Sequence, residues 1–340
     1  MRIAIDAMGG DFAPRQIVDG ALGAARHLGC GLVLVGRREA VERELERHDI
    51  GGLDVRLVDA PDVIAMGEPP AAALRRRPGA SIRVAAELVA RGEAAALFSA
   101  GNTGAAVVAA RSAFGMLPGV DRPALATTVP TRGRRPAVLL DSGATVECRP
   151  QHLVQFAVMG TVFARVALGI EHPRVGLLSI GVEETKGNEL TRETHRLLKD
   201  GPLNFIGNVE ARDAYSGEAD VIVCDGFTGN VALKVSEGLV ETVEHLLREE
   251  LSRTFTTRMG YLLSRRAFRR FRKRVDDAEY GGAPLVGVAG LCLVGHGRSS
   301  ANAVRSAVTL ATRFVTDGFL ERLSREIAAL PWAAVRPARW

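Results

Sequence analysis

Ala94-Ala95-Ala96-Leu97-Phe98-Ser99-Ala100-Gly101-Asn102-Thr103-Gly104-Ala105-Ala106-Val107-Val108 is the stretch on which the fold turns. A short apolar run ends at Ser99, a tight Gly-Asn-Thr-Gly turn follows, and small helix-forming residues come after it. That order predicts a strand, a glycine turn and a helix start, the βα junction at which α/β sheets bind ligands. The pattern returns in Val221-Ile222-Val223-Cys224-Asp225-Gly226-Phe227-Thr228-Gly229-Asn230. Two Gly-x-Thr-Gly turns, each after a strand, predict one cleft built from two parts of a sheet. Backbone N–H groups at helix starts carry the positive end of the helix dipole, so such a cleft suits an anion.

Outward from that stretch the chain alternates. Strands are expected at 2–5, 31–36 and 54–59, with helices at 14–28 and 37–48 between them and a helix opened by Ser81 as its cap. Residues 124–129 and 137–140 read as adjacent strands joined by the polar turn 131–134, and a long helix follows at 150–168. A strand at 175–180, a helix bearing Leu190, Thr194, Leu197 and Leu198 on one face, and strands at 205–208 and 221–223 continue the alternation. Beyond Gly229 the pattern turns helical at 230–251 and 252–275. A late strand at 291–294 and helices at 300–316 and 318–330 end the fold, with a loosely held tail to Trp340. This order implies a largely parallel sheet covered on both faces. No Ser/Gly-rich linker divides the chain, so residues 1–340 read as a single α/β domain with a helical hairpin at about 230–278.

With 340 residues, 47% hydrophobic and 24% charged, the chain reads as a soluble globular protein with a large core. Cys30, Cys148, Cys224 and Cys292 lie far apart, the pattern of buried thiols in a reducing compartment and not of a zinc site. The start runs straight into a strand, and no apolar run reaches the roughly 20 residues of a membrane span, so a cytoplasmic protein is expected. The formal charge of +5 is uneven. Nine basic residues and no acid fall between Ser252 and Val275, which leaves the remainder of the chain at −4. Within that segment Phe255, Met259, Leu263, Ala267, Phe271 and Val275 recur every four residues, with Leu262 and Phe268 alongside. An apolar helical stripe flanked by arginines is the arrangement of an interfacial helix on anionic lipid.

The candidate site is a set of polar turns at strand ends: 6–11, 99–104, 141–144, 183–189, 225–230 and 295–299. Glycines there allow close backbone approach to a small polar ligand. A Gly-x-Ser-x-Gly elbow, a Gly-x-Gly-x-x-Gly fingerprint, a P-loop and a His-Glu-x-x-His helix are all missing from the sequence, which disfavours a serine or cysteine hydrolase.

These residues carry a specific resemblance. Asp6-Ala7-Met8-Gly9-Gly10-Asp11, Ala73-Leu74-Arg75-Arg76-Arg77, Ser99-Ala100-Gly101-Asn102-Thr103-Gly104 and Lys186-Gly187-Asn188-Glu189-Leu190 come first. Asn204-Phe205-Ile206-Gly207-Asn208, Asp225-Gly226-Phe227-Thr228-Gly229-Asn230 and Tyr280-Gly281-Gly282-Ala283-Pro284 follow in the same order. The set resembles the bacterial phosphate acyltransferase family, the acyl-acyl-carrier-protein:phosphate acyltransferases of phospholipid synthesis, over residues 1 to about 310. One loop departs from it, His296-Gly297-Arg298-Ser299-Ser300 standing where His-Gly-Ser-Ser-Asp is expected.

The resemblance implies a three-layer α/β/α Rossmann-like sandwich, similar to isopropylmalate dehydrogenases and phosphotransacetylases, with a protruding C-terminal helical hairpin and assembled as a homodimer. It implies transfer of a fatty acyl group from acyl carrier protein to inorganic phosphate, without cofactor or metal. The acyl phosphate would feed a membrane glycerol-3-phosphate acyltransferase, so peripheral attachment to an anionic membrane surface through Phe255, Met259, Leu262, Leu263 and Phe271 is expected. Lys186 and Asn230 are the expected catalytic residues, a point charge and a neutral donor aimed at phosphate or the oxyanion. Substrate contacts are expected from Asp6, Gly9, Gly10 and Asp11, from Gly101, Asn102, Thr103 and Gly104, and from Asp141, Gly143 and Asn188. Asp225, Gly226, Thr228, Gly229 and His296 complete the set. Arg75, Arg76 and Arg77 would face the acidic carrier protein. Two rival readings are a related enzyme on the same fold, either a coenzyme A phosphotransacetylase or a dehydrogenase using Asp220 and Asp225 as metal carboxylates, and a nucleic-acid binder using 252–275. Against the latter, the apolar residues there form a helical stripe and not exposed stacking platforms, so no nucleic acid is expected.

Overall fold

The computed structural model describes residues 1–133, 135–275 and 281–329. The motif residue Tyr280, the hairpin's end at 276–278 and the tail from 330 lie outside the described residues, as do the side chains of Arg269, Arg272, Lys273, Arg274 and Val275.

The chain opens with β1 (Arg2–Asp6), α1 (Arg15–Leu28), β2 (Gly31–Gly36), α2 (Arg38–Leu45) and β3 (Val55–Asp59). Helices α3 (Pro70–Arg76) and α4 (Ser81–Ala90) lead to β4 (Ala96–Ser99) and α5 (Thr103–Phe114). Next come β5 (Ala124–Leu125), β6 (Thr127–Val129), β7 (Ala137–Leu140), α6 (Pro150–Leu168) and β8 (Val175–Leu178). They are followed by α7 (Glu189–Lys199), β9 (Phe205–Val209), a 3-10 turn at Ala211–Tyr215 and β10 (Val221–Val223). The last third holds α8 (Gly226–Arg253), α9 (Phe255–Val275), β11 (Ala283–Val286), β12 (Cys292–Val294), α10 (Ala301–Thr316) and α11 (Phe319–Ala329).

The strands form two sheets, not one, ordered β3-β2-β1-β4-β12-β11-β5 and β6-β7-β10-β8-β9. Pairing is parallel except around β11 and at the edge strand β6. The strand expected at 124–129 explains the division. Its first two residues pair with β11 in the first sheet and its last three with β7 in the second. Ala126, buried between them, donates its N–H to the Pro284 carbonyl. One strand thus steps from sheet to sheet with no loop at the crossing.

Buried apolar runs such as Ile3–Ile5 and Leu32–Val35 fit parallel strands covered on both faces. One apolar cluster runs beneath both sheets, joining Ile5 and Phe98 to Val138 and Leu177 through residues of α1, α6, α10 and α11. A second fills the opposite face of the first sheet against α4 and α5, and a third is closed by Ala214 and Tyr215 on the second sheet. The architecture is the expected α/β/α sandwich.

Pro70 opens α3 at its first turn, where a missing N–H costs nothing, and Ala71 to Leu74 are good helix formers. Two local expectations need correction. Ser81 does not cap α4; Ala80 holds the cap position, and Ser81 is buried in the first turn with its hydroxyl on Asp6. Helix α8 begins at Gly226, four residues before the expected start, because Asp225 caps it and the two glycines pack close to the end of β7. The hairpin itself is present as α8 and α9, whose stripe residues Phe255, Met259, Leu262, Leu263 and Phe271 are exposed.

Candidate active site

All the chosen turns except Glu183–Glu189, which begins a few residues later, directly follow the carboxyl ends of parallel strands. In the first sheet the loops after β1, β4 and β12 clasp one another. Asp11 donates its N–H to the Gly297 carbonyl at 2.8 Å, and Gly295 donates to the Ser99 carbonyl at 2.8 Å. Gly9 passes so close to Gly101 that a Cβ on it would stand 2.7 Å from the Gly101 nitrogen. Beneath this crossing Asp6 is buried and accepts from Ser99 Oγ at 2.7 Å and from the Met8 N–H at 3.3 Å. Burial pushes its carboxyl above the ordinary range, against the pull of Ser81, Ser99 and Met8. Expected to touch substrate, Asp6 instead ties β1, β4 and the start of α4 together.

Asp141 plays the same part in the second sheet. Its side chain is fully buried and accepts from the N–H groups of Leu125, Gly143, Ala144 and Thr145. Burial raises its carboxyl too, with those four donors pulling the other way. It shapes the loop after β7. Both carboxylates are engaged by their own loops, for one reason: a short acidic side chain at a strand end can turn back and satisfy the N–H groups of its own turn.

The two Gly-x-Thr-Gly turns also differ. Asn102 caps α5, accepting from the Ala105 N–H at 3.0 Å, and its amide nitrogen donates to the carbonyls of Ala65, Met66 and Glu68. Thr103 and Gly104 are therefore the first two helical residues. In the second turn the cap is Asp225, which accepts from the Thr228 N–H at 2.8 Å and Thr228 Oγ1 at 2.7 Å. Gly226, Thr228 and Gly229 lie inside the helix, and Asn230 is its fifth residue, not a capping amide. Asn188 caps α7 through the Thr191 N–H.

With those groups spent on the scaffold, two side chains stand apart. Asn230 is exposed beside Gly143, whose added Cβ would lie 3.6 Å from the Asn230 side chain, and its amide has no hydrogen-bond partner among the described residues. Lys186 lies on the exposed loop after β8, where it has no ion pair among the described residues. Strands β7, β10 and β8 are parallel neighbours, so the loops of Asp141, Asn230 and Lys186 leave adjacent positions of one sheet edge. His296, after β12, meets α8 from the other sheet: its Nε2 lies 2.6 Å from Lys234 Nζ. Lys234 is a residue that sequence reading passed over. It sits one helical turn after Asn230 and three residues before Glu237, a spacing that marks one face once the helix is known to start at Gly226.

Arg75 and Arg76 are exposed, but Arg77 turns inward, pairing with Glu68 at 2.8 Å and donating to the Val63 carbonyl at 2.7 Å. The rival metal pair fails on geometry: Asp220 precedes β10 and is held by Arg174, while Asp225 follows it, so the two sit at opposite ends of the strand. Among the described residues, no cluster of His, Cys, Asp and Glu could hold a metal ion, and no helix is long and apolar enough to cross a membrane. A cavity of about 620 Å³ opens at the amino end of the second sheet between Arg135, Glu171, Arg174 and Asp220. Its formal charges cancel, and it lies away from the strand carboxyl ends.

A family model described as "Fatty acid synthesis protein" matches residues 1–322. The phosphate acyltransferase of Geobacter sulfurreducens is 49% identical over 328 residues, covering 96% of this chain and 94% of that protein. That of Nitratidesulfovibrio vulgaris strain DP4 is 51% identical over 328 residues, covering 96% and 95%. Among solved structures, a phosphotransacetylase from Streptococcus pyogenes superposes with a TM-score of 0.62 at 16% identity, over 93% of this chain and 94% of its own. A branched-chain phosphotransacylase from Enterococcus faecalis V583 gives 0.55 at 16% identity, over 93% and 99%.

Proposed function

The chain belongs to the fatty acid synthesis protein family, whose curated relatives are phosphate acyltransferases, and we propose that it moves a fatty acyl group from acyl carrier protein to inorganic phosphate. The product is an acyl phosphate for glycerol-3-phosphate acylation. The observation that carries this reading is the division of labour at the strand ends. Buried Asp6 and Asp141 and the caps Asn102, Asn188 and Asp225 build the loops, which leaves Lys186 and Asn230 free to meet an anion. Phosphate at neutral pH is already an oxygen nucleophile, so the site has only to hold it near the thioester carbonyl and stabilise the oxyanion. The thiols fit that economy. Burial pushes Cys224 well above the ordinary thiol value and Cys148 up to about 12, so neither is a ready thiolate. The direct test is phosphate-dependent release of carrier-protein thiol from a long-chain acyl thioester, with no acyl-enzyme trapped on any Ser or Cys.

Exposed Arg75 and Arg76 are the part of the arginine run that would steer an acidic carrier protein. Arg75→Glu with Arg76→Glu should raise the apparent KM for acyl carrier protein on the order of tenfold at low ionic strength, fading as salt rises. An unchanged KM at low salt would retire that surface.

Attachment to the inner membrane surface belongs to the same reading of a cytoplasmic enzyme. Leu263 is 83% exposed, Phe255 79% and Leu262 67%, on a helix rich in arginine that packs along α8. Each basic residue near anionic lipid contributes about 1 kcal/mol, so a few engaged arginines suffice for reversible binding. Flotation with anionic vesicles should recover the protein, less so in high salt, and Leu263→Glu should abolish recovery while soluble activity persists. If Leu263→Glu unfolds the chain instead, the stripe is an internal contact. The exposed run Val231, Val235, Leu239 and Val243 on α8 is a face that a homodimer would cover.

A further inference from the structure

His296 is not a lone histidine. Its Nδ1 accepts the Arg298 N–H at 3.2 Å, and its Nε2 faces Lys234 Nζ at 2.6 Å and Glu237 Oε2 at 3.4 Å. Lys234 Nζ in turn donates to Glu237 Oε2 at 2.8 Å. With Nδ1 accepting, the neutral ring carries its proton on Nε2. A ring N–H and an ammonium cannot both aim protons at each other across 2.6 Å, so a single N–H···N bond joins the two nitrogens. Glu237 is half-buried; burial raises its carboxyl, but the donors His296 and Lys234 hold it below the ordinary range as a fixed counter-charge. A second contact, Arg298 to Glu241 at 3.2 Å, fastens the same loop to the same helix. The side chains of Lys234 and His296 remain 52% and 38% exposed, and Lys234 lies one turn along α8 from Asn230.

We propose that Lys234 and His296 act as a proton-sharing pair that carries the proton from attacking phosphate to the departing carrier thiol; the proposal rests on the acyltransfer reading above. Monohydrogen phosphate forms a C–O bond to the thioester carbonyl, and the tetrahedral oxyanion collapses with loss of the C–S bond. The electron pair of that bond goes to sulfur, and the P–OH proton must end there. Charge balances: a dianionic phosphate and a neutral thioester give a dianionic acyl phosphate and a neutral thiol. A pair that already shares one proton accepts at one nitrogen as it donates from the other, and Glu237, bonded to Lys234 Nζ, holds the pair in place while it does so. An alkyl thiol with an ordinary pKa of about 8.5 is a poor thiolate leaving group at neutral pH, so general acid help has something to gain.

The test compares two donors with the same acyl group, an S-acyl pantetheine and an S-acyl thiophenol, in the presence of inorganic phosphate. The aryl thiolate leaves without a proton; the alkyl one benefits from it. Lys234→Met and His296→Gln should each lower turnover of the pantetheine donor on the order of a hundredfold, but that of the thiophenol donor less than about tenfold. Lys234→Arg keeps a donor to Glu237 but cannot give up a proton, so it should fail on the pantetheine donor as Lys234→Met does. Equal losses on both donors, recovery in Lys234→Arg, or full activity of all three variants would each overturn the relay. If the parent chain releases thiol from neither donor, the acyltransfer reading is itself wrong and the relay falls with it. A variant that melts early is judged by the ratio of its two donor rates, which misfolding lowers equally.

Discussion

Asn230→Ala and Lys186→Ala should each cut turnover by about a hundredfold or more, the loss seen when one preorganised oxyanion donor is removed, or roughly 3–4 kcal/mol. Neither change should cost the fold more than about 0.5 kcal/mol, because both side chains are exposed and without partners among the described residues. For Asn230 the backbone argues the same way: it lies inside α8, where alanine is the better helix former. Turnover measured beside a thermal melt separates the two effects. A variant that unfolds would make its residue structural, and one that keeps its rate would remove it from the chemistry. Lys186→Arg should rescue only part of the loss, since a planar guanidinium replaces a compact charge.

The largest stability effect is expected from a residue with no side chain at all. A Cβ on Gly229 would stand 1.9 Å from the Asp141 carbonyl oxygen and 2.9 Å from Cys224 Sγ. The obstacle is backbone held by four hydrogen bonds to Asp141's own carboxylate, so it cannot swing aside as a flexible side chain would. Gly229→Ala should therefore destabilise the chain by about 3 kcal/mol or more, at the upper end of overpacking costs. Its melting temperature should fall by roughly 6–12 °C on the usual scaling for large domains. The same shift displaces Asn230, the next residue, so surviving protein should turn over poorly. Normal melting in Gly229→Ala would mean that α8 does not lie against β7 as described.

Much of the fold was legible because alternation is a strong signal: buried strands such as Leu32–Val35 and amphipathic helices such as α7 announce themselves. What was hidden depended on the partner across the sheet. Residues 124–129 form a continuous run in the sequence, and nothing in it says that Ala126 is where the pairing changes from β11 to β7. Helix starts were misread where glycine was taken as a turn marker. Gly226 and Gly229 have poor helix propensity, and the Asp225 cap together with the close approach of Asp141 explains why glycines open this helix. In the site, residue types and positions were readable, but commitments were not. Asn102 and Asn230 look equivalent on paper; one has its amide fully engaged, and the other has no hydrogen-bond partner among the described residues. Arg77 likewise looks like Arg75 until Glu68 is seen beneath it.

The place of β12 bears on how a ribosome can deliver this chain. Strand β12 pairs with β4 on one side and β11 on the other, so the first sheet is closed by residues 283–294. Strand β4 is complete at Ser99, and until the late pair arrives its outer edge has no neighbour and β5 has nothing to join in that sheet. At about 5–20 residues per second, that edge waits on the order of ten seconds or more during synthesis. An open parallel edge beside apolar residues such as Leu97 and Phe98 is a template for wrong pairing. Nascent chains stalled within this interval should be clients of holding chaperones. A gene truncated anywhere before codon 283 should yield aggregate and not a smaller folded enzyme.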